Sequence, residues 1–87
     1  MPNVWIPSLL RDLTGGRETV TVAGVTVRQV IEALDRLHPG IRDRLCDGDG
    51  LRSGITVAID AALVRRGLSE PVGENSEVHF VPVIAGG

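Results

Sequence analysis

Lysine is missing from this chain. Its nine basic residues are all arginines: Arg11, Arg17, Arg28, Arg36, Arg42, Arg44, Arg52, Arg65 and Arg66. A GC-rich coding bias accounts for that on its own. It also removes every ε-amine that an activated acyl group could capture. Tyrosine is absent, and Trp5 and Phe80 are the whole aromatic complement, so the core must be aliphatic. The single cysteine, Cys46, allows no internal disulfide and fits a reducing cytoplasm. Cys46 has no His or Asn neighbour that would mark a nucleophilic dyad, so it reads as an incidental or half-buried thiol. A net charge of −2 lacks the basic surplus that nucleic-acid binding uses. No apolar run is long enough to span a bilayer. No basic-then-apolar leader is expected at the N-terminus. His38, His79 and Cys46 are too scattered for a zinc pattern. Asp47-Gly48-Asp49-Gly50 lacks the spacing and closing glutamate of a calcium loop and reads as a turn.

What remains is 87 residues with 43% hydrophobic content, enough for one folded domain with little spare core. Asn3 to Ile6 alternates like a short strand, broken by Pro7-Ser8. Leu9, Leu10 and Leu13 suggest a helical turn or compact loop, and Thr14-Gly15-Gly16 a turn. Thr19 to Val22 is a second, β-branched strand. From Thr26 to Leu37, the residues Val27, Val30, Ile31, Leu34 and Leu37 recur at helical spacing. Thr26 and Gln29 give that helix a capping pattern, and Pro39-Gly40 stops it. Ile41 to Leu45 adds one further turn. Ile55 to Ile59 is a third strand, Leu63-Val64 a short edge strand, and Val78 to Val81 the last. Residues 68–75 read as loop.

One helical stripe must be buried, and one face of a mixed sheet is the economical partner. The order of elements therefore predicts an α+β fold of the β-grasp type, with four to five strands on one main helix. Val4, Ile6, Val20, Val22, Ile55, Val57, Ile59, Val78 and Phe80 would face the helix. Trp5, Ala58, His79 and Val81 would line the open face, an apolar patch suited to docking. After the last strand come Val83, Ile84, Ala85, Gly86 and Gly87. Glycines pass through channels too narrow for a Cβ. The expectation is a flexible tail, residues 83–87, that threads Ala85 and Gly86 into a partner and presents the Gly87 carboxylate as the reacting group.

The run Glu77-Val78-His79-Phe80-Val81-Pro82-Val83-Ile84-Ala85-Gly86-Gly87 resembles the ending of the ubiquitin-like sulfur-carrier family. That family includes the molybdopterin-synthase small subunit and the carriers for thiamin thiazole and cysteine synthesis. Ile6-Pro7-Ser8-Leu9-Leu10-Arg11 through Thr14-Gly15-Gly16 looks most like the cysteine-biosynthesis branch. Two segments depart from the family pattern. Glu74-Asn75-Ser76 stands where Asp-Gly-Asp is frequent, and residues 60–66 lack the usual Asn-containing turn.

The resemblance implies that an E1-like enzyme adenylates the Gly87 carboxylate with ATP. A sulfur donor then displaces AMP and leaves a thiocarboxylate. A second enzyme accepts the sulfur; it would be cysteine-synthase-like, thiazole-synthase-like or the molybdopterin-synthase large subunit. On this reading the chain is a protein cosubstrate, not an enzyme, with no bound cofactor or metal and no nucleic-acid or membrane partner. Pro7, Leu63, Val81, Val83 and Ile84 are the positions where related carriers meet partners. Two other classes compete: a ubiquitin-like modifier joined through Gly87 to target lysines, and a structural module whose double glycine is incidental.

Overall fold

The longest helix, α1, runs Val27–Leu37, and its first turn is fixed by side chains. The Thr26 hydroxyl accepts from the Gln29 N–H at 3.2 Å, and the Gln29 side-chain oxygen accepts from the Val25 N–H at 2.9 Å. The capping pattern thus forms with its return bond one residue early. Val27, Val30, Ile31 and Leu34 are buried, as their spacing predicted. Leu37 is not: it is 60% exposed. The core at that end is filled instead by Ile41 and Leu45 of α2, Ile41–Leu45. The two helices meet across Pro39-Gly40. Gly40 has φ 103°, a left-handed conformation that a side chain would disfavour. One Asp35 carboxylate oxygen accepts from the N–H groups of Gly40 and Arg42, each at 3.1 Å, so α1 caps the start of α2.

The computed structural model describes residues 1–82; the expected flexible tail, 83–87, lies outside the described residues. Among the described residues the strands are β1 (Asn3–Trp5), β2 (Thr19–Thr21), β3 (Cys46–Asp47), β4 (Gly50–Leu51), β5 (Ile55–Ile59), β6 (Ala62–Leu63) and β7 (Glu77–Pro82). Five of them form a sheet in the order β2-β1-β7-β5-β6. The central pair, β1 and β7, is parallel, and the other pairs are antiparallel. This is the mixed sheet under one main helix that the element order predicted. Val4, Ile6, Val20, Val22, Val57, Val78 and Phe80 are buried on the helix side, and Ile55 and Ile59 are partly buried against the same core.

Three local expectations change. Asp47–Gly50 is not a free loop: its ends belong to a two-stranded β3–β4 ribbon, with Cys46 opposite Leu51. The edge strand is Ala62–Leu63, one residue earlier than the hydrophobic pair suggested. Pairing of Ile59 with Ala62 leaves only Asp60-Ala61 for the hairpin turn, and that sets the register. The stretch after β6 contributes to the core. A 3-10 turn, Gly67–Ser69, buries Leu68, and Val72 is buried beyond it.

Candidate docking face and tail exit

The strand registers place Thr19, Trp5, His79, Ala58 and Leu63 side by side across the sheet. All lie on the face away from α1, because side chains alternate along a strand and Val4, Val78 and Val57 point inward. Val81, opposite Thr56, belongs to the next row on that face. This is the open face read from the sequence. Trp5 is 37% exposed and Leu63 68% exposed, while His79 and Val81 are half-buried. The Trp5 and His79 rings stack, with centroids 5.2 Å apart and planes 7° from parallel. Such a stack fixes both side chains and leaves a flat apolar plate at the centre of the face.

Of the predicted partner-contact residues, Leu63 and Val81 sit on this face. Pro7 does not group with Leu63; it lines a separate groove at the end of the sheet. Val83 and Ile84, the threading residues Ala85 and Gly86, and the reacting Gly87 lie outside the described residues. Pro82 pairs with Ile55 at the end of β7, beside that groove.

The groove encloses about 470 Å³. Its walls are Pro7, Ser8, Leu9 and Leu10 around the 3-10 turn Ser8–Leu10, Arg44 and Leu45 of α2, Ile55 of β5, and Phe80 and Pro82 of β7. Leu9 is 82% exposed while Leu10 is buried. A single tight turn cannot hide two adjacent leucines, and this pair is the sequence signal for a surface groove. Among the described residues, the only charged wall group is the Arg44 guanidinium. It donates to the Leu9 carbonyl at 3.2 Å and stands 3.8 Å from the Asp12 carboxylate. Sequence reading missed this groove because its walls come from four segments far apart in the chain.

Cys46 is more buried than expected, at 5% exposure. Burial pushes its thiol up, against the opposing pull of the Arg42, Arg28 and Arg52 cations. A thiol held protonated is a poor nucleophile. No cluster of metal-ligating side chains occurs among the described residues, and no helix there is long and apolar enough to cross a membrane.

The model for the ThiS family matches residues 4–87. The sulfur carrier protein CysO of Mycobacterium tuberculosis is 33% identical over 89 residues, covering 97% of this chain and 96% of that protein. Among solved structures, the Amycolatopsis orientalis BexX/CysO complex contains a chain 34% identical to this one. The two superpose with a TM-score of 0.92 and full coverage of both. SAMP1 from Haloferax volcanii is 26% identical, with a TM-score of 0.72 and coverage of 99% and 98%.

Proposed function

Because this chain belongs to the ThiS family and is a sulfur carrier, we propose that its Gly87 carboxylate is the group that carries the sulfur. An E1-like enzyme would join that carboxylate to the α-phosphate of ATP and release pyrophosphate. A sulfide equivalent would then attack the acyl carbon and expel AMP. The product is a C-terminal thiocarboxylate, a sulfur nucleophile that cannot diffuse away. A carboxylate resists such attack until it bears a good leaving group. The partner's channel keeps water from the activated acyl group. The chain supplies the reacting atoms and the partners supply catalysis, so it acts as a protein substrate. The need for ATP and the free buried thiol favour the cytoplasm.

The observation that carries this reading is the near-complete, 33% identical match to CysO sulfur carriers. It also favours a cysteine-precursor acceptor over a thiazole, a molybdopterin precursor or a secondary metabolite. The test is an intact mass taken after incubation with the adenylating enzyme, ATP and sulfide. Loading should replace one oxygen by sulfur at Gly87. An alkylating probe should label that sulfur first, because Cys46 is buried. Deleting Gly87 should abolish loading and leave thermal stability unchanged. A Gly87-deleted chain that loads at the normal rate would sink the proposal.

A second reading has one observation behind it, the likeness to SAMP1, of a kind described as a small archaeal modifier protein. A modifier would appear in lysates as adducts, with Gly87 in isopeptide bonds to target lysines. Abundant adducts without a detectable thiocarboxylate would favour it over the carrier.

A further inference from the structure

We propose that the groove beside Pro82 is an anchoring pocket for the enzyme that takes in the tail. It would receive one large apolar side chain from the rim of that enzyme's channel, next to a carboxylate that meets Arg44. The proposal rests on the sulfur-carrier reading and extends it to the shape of the partner. The geometry leaves the partner little choice. Pro82, the last described residue, is itself a wall of the groove, and the residues the enzyme must take in are bonded directly to it. An enzyme that takes in residues bonded to a wall of the groove comes within reach of the groove mouth. The groove's volume, about 470 Å³, lies within the range of pockets that hold apolar groups, and its walls are almost wholly aliphatic or aromatic. Leu9, at 82% exposure, forms an apolar surface that gains from being covered.

Charge selects the second element. Among the described residues, Arg44 is the sole charged one of the wall, and its acidic neighbour Asp12 stands at 3.8 Å with a 66% exposed side chain. A partner carboxylate over the mouth would displace water from the guanidinium and make a closer pair. The groove lies apart from the Trp5–His79 plate, so the partner would hold the carrier at two places.

The experiment uses the full-length chain and an E1-like enzyme that loads it. Leu9→Glu and Arg44→Glu change the groove; Val25→Glu is the control, an equally simple change at a 65% exposed apolar residue next to α1. Affinity comes from titration of the unloaded carrier, and loading from intact mass at saturating enzyme. Leu9→Glu and Arg44→Glu should each weaken binding tenfold or more, while Val25→Glu binds like the parent. Loading at saturation should persist in all three. Parent-like binding by both groove variants would overturn the pocket while leaving the carrier reading intact. A parent chain that the enzyme never loads would overturn the carrier reading itself, and the pocket with it. Tighter binding by Leu9→Glu would mean that the chain's own residues occupy the groove. A concentration-dependent dimer, lost in Leu9→Glu with enzyme affinity unchanged, would assign it to a second copy. Either result replaces the partner as occupant.

Discussion

Along β7, neighbouring residues belong to different tasks. Val78 and Phe80 point under the helices and are 0% and 4% exposed. His79 and Val81 point the other way, half-buried on the open face. The first file belongs to one buried cluster with Val30, Ile31 and Leu34 of α1, Leu10 of the 3-10 turn and Val57 of β5. The second has no cover within the described residues. The same strand therefore carries the core on one side and the candidate docking face on the other, one residue apart. In a chain this small the core has little reserve. Separating the two files keeps changes to the docking face from threatening the fold.

The strongest way to break this comparison is Phe80→Ala. Phe80 is the only aromatic residue in the core, and it pairs across the ladder with Val57, which is 0% exposed. Truncation should leave a cavity and cost about 3 kcal/mol of unfolding free energy. Denaturant unfolding followed through Trp5 would measure it.

The neighbouring change should do the reverse. Val81→Asp, or Leu63→Asp at the far end of the open face, should weaken binding to the adenylating enzyme by about 2 kcal/mol if each is a central anchor. Stability should move by about 0.5 kcal/mol or less at Leu63, because an exposed edge position makes few contacts to lose. If Val81→Asp unfolds the chain while Phe80→Ala does not, the assignment of the two files is inverted.

The two files were legible in the sequence because β-branched alternation is a period-two signal that tertiary packing reinforces. The same holds for α1, whose stripe and Thr26 cap are both local. What was hidden was long-range. The groove needs Leu9, Arg44 and Phe80 brought together. The Asp35 cap of α2 reaches five and seven residues ahead, to Gly40 and Arg42. Leu68 and Val72 lie in a stretch without periodicity, so their burial follows from tertiary contact alone. Leu37 failed for the opposite reason: its spacing fits the stripe, but α2 already fills the core there.

The edge strand gives the smallest and sharpest test. Both residues of β6 are exposed, so packing hardly holds it. Its turn must do so, and that turn was unreadable because it contains no glycine. Asp60 and Ala61 both have positive φ, 51° and 71°. At Asp60 this is compensated: a side-chain oxygen accepts from the Glu77 N–H at 2.9 Å. Ala61 has no such return and bears the left-handed cost, roughly 1–2 kcal/mol for a residue with a Cβ. Glycine relieves it but adds freedom to the unfolded chain. Ala61→Gly should therefore stabilise the fold by about 0.5–1 kcal/mol. Asp60→Gly, one residue away, should not, because it deletes the bond to Glu77. Leu63 keeps its place in the open-face row in Ala61→Gly, so affinity for the adenylating enzyme should stay the same. Equal stabilisation by both glycines would show that backbone strain alone governs this turn. A loss of affinity in Ala61→Gly would show that the strained turn is part of the docking surface.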